Sequence, residues 1–405
     1  MQSLLLLLLL SAVHQTHSCG IHHDANHSHN APDPEVVLRR NLVLRAENNK
    51  RPRPSPKVAL TNVQVFDGWN LLPPQTIVIE NGLISHPHAL EIDGTGHTLL
   101  PGLIDSHAHH APALPHGRRL WSPRVWSLGF AGPFAGIGTA VADAEGWVED
   151  QIEKGAEFVK MIAETPGLSQ EVLSATAAAA RAKGKVTVCH ASDYGSVQQA
   201  LVADVGQVHH VPLDRPLNDI SAQTFLQKRT ISVPTLIMLR TTQSIPSLNF
   251  STPLHSTSTL HAAGVPILVG TDANDDVAAP AKPAFGASIH EEMELLVRAG
   301  MSPLEVLRGA TGRAAGVWGL HDRGVIEVGK RADLVLVRGD PMRNVSATRE
   351  IRRVWVGGVE IEDEWRGRTE ADALESDQTE WSTVDKLRSR YRPRDEVVWT
   401  SGADA

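Results

Sequence analysis

Two cysteines, Cys19 and Cys189, are all that 405 residues contain, so no disulfide framework can hold this fold together. Cohesion must come from a core. A basic surplus is missing as well: 38 Lys and Arg stand against 46 Asp and Glu, a net charge of −8, which leaves nothing to neutralise a phosphate backbone and argues against a nucleic-acid partner. Beyond the N-terminal leucine run no apolar stretch reaches membrane-spanning length, so no membrane span is expected. Tyrosine occurs only twice, whereas histidine occurs 20 times, and the imidazoles become candidates for metal ligands. With 41% hydrophobic and 21% charged residues the chain suits one large or two modest globular domains rather than a disordered polymer.

Leu4 to Leu10 followed by Ser11-Ala12-Val13 is too short to span a bilayer and long enough for the apolar region of a signal peptide, read here as residues 1–18 of a secreted protein. No Lys or Arg precedes the run, and a buried or membrane-associated N-terminus is the alternative. Sequons at Asn26, Asn249 and Asn344 fit a glycoprotein. Residues 19–57 read as a polar linker, in which His22, His23, His27 and His29 lack a rigid frame for a metal.

From Val58 the pattern becomes β-branched runs punctuated by Gly, Pro and Asn: Val58 to Phe66, Gln75 to Gly82 and Leu83-Ile84. Runs of the same style return at Gly324 to Glu327, Ala332 to Val337 and Arg353 to Val359, so 58–100 and 320–361 are expected to form one composite β-sandwich from both chain ends. Between them, over 101–319, the apolar runs Phe158–Ile162, Val186–Cys189 and Val265–Val269 alternate with helical segments such as Glu171–Ala182 and Ile289–Ala299. Alternation of this kind predicts βα units around a parallel sheet, an α/β fold. Residues 362–405 are charged and turn-rich, a C-terminal extension.

The sharpest local signal is Pro101-Gly102-Leu103-Ile104-Asp105-Ser106-His107-Ala108-His109. Residues two apart on a strand face the same way, so His107 and His109 can reach one metal at the strand's end. Lys160, His190, His210 and Asp272 lie at the ends of later apolar runs, and in a βα barrel such ends converge. Singly, each has a plainer reading: a polar strand end for His107 and His109, a snorkelling lysine at Lys160, a core histidine at His190. Val208-His209-His210-Val211 offers two histidines of which strand alternation turns only one inward; His210 is preferred, with His209 open.

With these residues in place, the chain resembles the amidohydrolase superfamily from about Val58 to Ile361. Three stretches carry the likeness: Pro101 to His109, Gly264 to Ala273 and Gly324 to Val335, with Met301 to Thr311 similar to the family's late helical segment. Within it, the chain is most similar to the imidazolonepropionase-like and prolidase-like branch, which includes secreted fungal amidases of the ochratoxinase type. The resemblance implies a (β/α)8 TIM-like barrel with a composite β-sandwich and two divalent cations, usually zinc. It implies His107, His109 and Asp272 on one ion, His190 and His210 on the other, and a carboxylated Lys160 between them. Asp272 would carry the proton from water to the leaving nitrogen, and His290 would meet a substrate carboxylate, a solvent-facing His290 behind a Ser288 cap being the alternative.

One interval departs from the pattern. Only 51 residues separate His109 from Lys160, where the family places two further βα units of roughly 30 residues each. Trp121 to Gly129 resembles strand three, and no second strand is found. The barrel is therefore expected to be incomplete, best read as a shortened gene model or splice form; an irregular substitute over Gly132 to Ala140 and a tolerated gap are the alternatives. The function implied is hydrolysis of a carbon–nitrogen amide bond in a small dipeptide-like or N-acyl amino acid substrate. A cyclic-amide hydrolase and a catalytically inactive extracellular binding protein are the alternatives, and homo-oligomerisation is left open.

Overall fold

The computed structural model describes residues 57–85, 90–109, 130–131, 143–153, 155–164, 167–241, 249–274 and 281–361. The expected signal peptide, most of the linker, the C-terminal extension and the stretches 110–129 and 132–142 lie outside the described residues. In chain order the strands are β1 (Val58–Phe66), β2 (Leu71–Glu80), β3 (Leu83–Ser85), β4 (Leu90–Asp93), β5 (His97–Pro101), β6 (Phe130–Ala131), β7 (Phe158–Ile162), β8 (Val186–His190), β9 (Gln207–His209), β10 (Ile231–Val233), β11 (Leu334–Arg338), β12 (Ile351–Val356) and β13 (Val359–Glu360). The helices used below are α1 (Ala144–Glu153), α2 (Gln170–Ala182), α3 (Tyr194–Val202), α4 (Asp219–Lys228), α5 (Leu236–Thr241), α6 (Ser251–Ala262), α7 (Ser288–Arg298) and α8 (Pro303–Gly309).

The β-branched runs at the two ends of the chain join in one mixed sheet ordered β13-β12-β11-β5-β1-β2-β3, with β4 also on β1. The seam is the antiparallel pair of β5 and β11, Leu334 opposite Pro101 through Arg338 opposite His97. Alternate side chains bury Leu60, Ile79, Leu99, Leu334, Leu336 and Trp355 in one cluster, burial that stabilises by about 1.5–3 kcal/mol for each large aliphatic residue. Gly324 to Glu327, expected as a strand, does not form one: Gly324 sits at φ +82°, and Ile326 donates its N–H to Asp67 O outside any ladder.

The central repeat is a parallel sheet ordered β10-β9-β8-β7-β6. Helices follow each of β7, β8 and β9, and their starts are set by side chains: Ser169, Asp193 and Asn218 accept the N–H of Val172, Ser196 and Ser221 at the heads of α2, α3 and α4. At α8 Ser302 and Glu305 form a reciprocal capping box. Backbone bonds continue the sheet past β10. Ser232 bridges Ile267, Ser106 N–H donates to Val269 O at 2.8 Å, and Ala108 bridges Ala273. The segments 104–109 and 265–273 thus lie in parallel beside β10, and a two-residue strand, β6, follows directly on the stretch expected as strand three. No ladder closes this sheet into a ring among the described residues. No helix among them is long and apolar enough to cross a membrane.

Candidate metal centre

Strand register brings the predicted residues together. In the parallel ladder Lys160 lies opposite Val188, Ile162 opposite His190, and His190 opposite His209. Partners in register share a face, as do residues two apart, so Lys160, His190 and His209 point to the same side. At the strand ends His210 (φ +73°), Thr235 (φ +51°) and Asp272 (φ +60°) take left-handed backbone conformations, uncommon for residues with a Cβ, which redirect their side chains out of simple alternation. The alternation argument that allowed only one inward histidine is thereby overturned. His209 and His210 are both buried against His107, with ring centroids 4.6 Å and 5.0 Å from it.

His107 and His109 are delivered by the segment paired with 265–273. Asp272 N–H donates to His107 O at 2.7 Å, and Asp105 ties the two segments by accepting the N–H groups of His107 and Thr271 and the Thr271 hydroxyl. Gly270 is required here: a Cβ on it would stand 2.5 Å from Val233 Cγ1 and 3.0 Å from His107 Cβ.

The result is a convergence of ligand atoms. His107 Nε2 lies 3.2 Å from His109 Nε2 and 3.2 Å from Asp272 Oδ1, and His109 Nε2 lies 2.7 Å from the same oxygen. These three could hold one metal ion, since nitrogen and oxygen ligands about 2.0–2.2 Å from a shared centre come this close to one another. Lys160 Nζ sits 2.8 Å from His107 Nε2. Burial, then the charge of Lys160, holds His107 neutral, well below the ordinary imidazole range, and burial first does the same for His209. Neutral imidazoles keep the lone pair that metal binding needs. Two histidines and a carboxylate therefore suit a borderline divalent cation such as zinc.

His190 and His210 are adjacent, their ring centroids 4.4 Å apart. His190 Nε2 lies 3.0 Å from Glu164 Oε1, an oxygen that also accepts the N–H and hydroxyl of Ser192. His210 Nδ1 lies 2.7 Å from Thr235 Oγ1, whose own hydroxyl donates to Pro234 O. Sequence reasoning missed Glu164, Thr235 and Gln207. Glu164, four residues after Lys160 and just beyond the end of β7, was the one that position alone could have flagged. Cys189, beside His190, is buried on the opposite face with its thiol pushed up to about 12, which removes it from nucleophilic chemistry.

His290 is neither solvent-facing nor behind a Ser288 cap. It is buried in the first turn of α7, its Nδ1 2.9 Å from Thr348 Oγ1, and burial lowers it to about 4. Two residues on, Glu292 is fully buried, accepts the Ile237 N–H at 2.6 Å, and is pushed up to about 8 by burial.

Comparisons with known proteins bear on the family and the fold. The profile of the amidohydrolase family matches residues 131–361. The imidazolonepropionase of Deinococcus deserti is 33% identical over 103 residues, 24% of this chain and 24% of that protein, so the aligned stretch spans about a quarter of the relative. Among solved structures, a Xaa-Pro dipeptidase with methionine bound in its active site superposes with a TM-score of 0.60 at 19% identity, covering 76% of this chain and 100% of that one. The ochratoxinase of A. niger gives a TM-score of 0.60 at 16% identity, covering 78% and 98%. At such identities the likeness is one of fold.

Proposed function

The chain belongs to the amidohydrolase family, and on that premise we propose that it hydrolyses a carbon–nitrogen amide bond in a small N-acyl amino acid or dipeptide-like substrate, using two divalent cations. The single observation carrying this reading is the gathering of His107 Nε2, His109 Nε2 and Asp272 Oδ1 within 3.2 Å of one another, at strand ends, with Lys160 alongside. His107, His109 and Asp272 would hold one ion, His190 and His210 the other, with Lys160 between them. Lys160 would serve as its carbamate: the ammonium would lose one proton and the resulting amine a second as Nζ bonds to carbon dioxide, two protons in all, turning a cation into an anion that could act as an oxygen ligand. When bound, the ions supply Lewis acidity to the substrate carbonyl and lower the pKa of water.

The chain's own residues then do the rest. Asp272, buried beside His109, accepts the proton of the attacking water and returns it to the departing amide nitrogen. His107 stays a neutral donor of an electron pair, because burial and the neighbouring charge of Lys160 hold its imidazole well below the ordinary range. The Thr348 hydroxyl is committed to Val345 O, so His290 donates through Nδ1 and, when neutral, carries a lone pair at Nε2; its role at a substrate carboxylate therefore requires the imidazolium form. In this reading the parallel sheet with its two bridged segments is an arc of a (β/α)8 barrel, and 58–100 pack with 320–361 as its composite β domain. The leucine run marks a secreted protein, which the N-terminal sequence of mature material would check.

The test is metal analysis of purified protein together with hydrolysis of a panel of N-acyl amino acids and dipeptides. Close to two zinc per chain with turnover of a linear amide is expected; folded protein that takes up no metal and cleaves nothing points to the binding protein instead. A second reading, cyclic-amide hydrolysis, is favoured by the stretches shared with imidazolonepropionases, and a cyclic imidazolone in the same panel separates the two.

A further inference from the structure

His209 has no assigned role in the reading above, yet it is among the most deeply buried polar residues of the centre. Its contacts fix where its proton lies. In the metal-free chain Lys160 is an ammonium that can only donate, and its Nζ meets His107 Nε2 at 2.8 Å, so Nε2 carries the lone pair and the proton of neutral His107 sits on Nδ1, the same tautomer that a metal-bound Nε2 requires. That nitrogen lies 3.1 Å from His209 Nδ1, which must accept. The His209 proton is then on Nε2, 3.1 Å from Gln207 Oε1, a carbonyl oxygen suited to receive it. The Gln207 amide is turned this way although its Nε2 is left buried without a partner among the described residues. Reversing the amide would reverse every proton in the row and block His107 Nε2.

We propose that His209 is a positioning residue, held by Gln207, which accepts the Nδ1 proton of His107 and thereby keeps His107 Nε2 open toward Asp272 and His109. An imidazole here does the work that a carboxylate or backbone carbonyl commonly does behind a metal-bound histidine. The inference rests on the proposed metal centre. It also separates the two neighbouring histidines by where their lone pairs lie: His210 donates through Nδ1 to Thr235, whose hydroxyl is already committed to Pro234, so its lone pair is on Nε2, whereas the lone pair of His209 is on Nδ1 and faces His107.

Two measurements on the full chain test this. Nitrogen-15 spectra of metal-free protein labelled in histidine should show His107 protonated at Nδ1 and His209 at Nε2; the opposite tautomer at His209 overturns the proposal. Zinc titration against a competing chelator should give His209→Phe the wild-type stoichiometry with affinity lowered about 10- to 100-fold, the range for losing such a partner. His209→Asn, whose Oδ1 can stand where Nδ1 stood, should recover most of it, and His210→Phe should lose one equivalent. Unchanged affinity in His209→Phe, or loss of an equivalent there with both retained in His210→Phe, overturns it. If His209→Phe does not fold, the wild-type spectrum still decides. Wild-type protein that binds no zinc sinks the metal centre itself, while the metal-free spectrum answers separately for His209.

Discussion

On one side of the centre, backbone holds backbone: Asp272 N–H donates directly to His107 O, and His109 N–H to Ala273 O. On the other side the backbone is paired as well, His190 opposite His209 and His210 N–H on Val233 O, but the imidazole rings rest on side chains, His190 against Glu164 and His210 against Thr235. The first half is set by the pairing of two chain segments, so its geometry follows from strand spacing and tolerates little change in it. The second half is set by hydrogen bonds that single substitutions can delete, so it is the half whose affinity for a cation can be tuned.

The largest effect is expected at Asp272. Replacing it by Asn keeps size and most ligand geometry but removes the base, and kcat should fall by about 10^2- to 10^4-fold, the usual worth of a positioned acid–base group. Metal analysis of the same sample should show most of the cation retained; a variant that turns over normally removes the proton-transfer role. Gly270→Ala probes the backbone-held half. Its Cβ has Val233 Cγ1 at 2.5 Å and His107 N at 3.0 Å, so the two segments must part, with a loss of about 1–3 kcal/mol in urea unfolding and weaker zinc binding. An unaltered midpoint would show that the spacing is not restrictive.

Glu164→Ala probes the side-chain-held half. It frees His190 and the Ser192 N–H and hydroxyl at once, and affinity for one of two zinc equivalents should drop about 10- to 100-fold while the other is unchanged. A uniform loss across both equivalents argues that the halves are not separate. Glu164→Gln, which keeps an acceptor, should fall between this variant and the wild type.

The same contrast explains what could be read in the sequence. β1 spans Val58–Phe66 and β8 starts at Val186 as the β-branched runs indicate, and α2 and α7 match the helical segments to within a residue or so, because local propensity and burial agree there. The His-x-His and Gly-Thr-Asp stretches were legible because each is a short motif at a strand end. His209 was left as a mere alternative to His210, because the left-handed turn that brings both inward is a tertiary outcome with no glycine to announce it. Glu164, Thr235 and Gln207 act through partners 28, 25 and 2 residues away, and the first two separations leave no periodic trace in the chain.

A slope rather than a step, and one outside the ligand set, belongs to Glu292. Its Oε2 holds the N–H of Ile237, two residues past the Thr235 that supports His210, and its Oε1 is buried with no partner among the described residues. Burial raises this carboxyl from 4.5 to about 8, so between those values the folded chain retains a proton that the unfolded chain releases. A native state that binds the extra proton loses stability as pH rises, by about 1.4 kcal/mol per pH unit across that window, with no contribution to the slope below the unfolded value or above the folded one. Glu292→Gln keeps an acceptor for Ile237 and cannot titrate. Urea midpoints taken from pH 5 to pH 8 should therefore converge at the acid end and separate in favour of the Gln variant as pH rises. Parallel curves would place the proton elsewhere, and a zinc equivalent lost from wild type but not from the variant at pH 8 would locate the pH sensitivity in the His210 half.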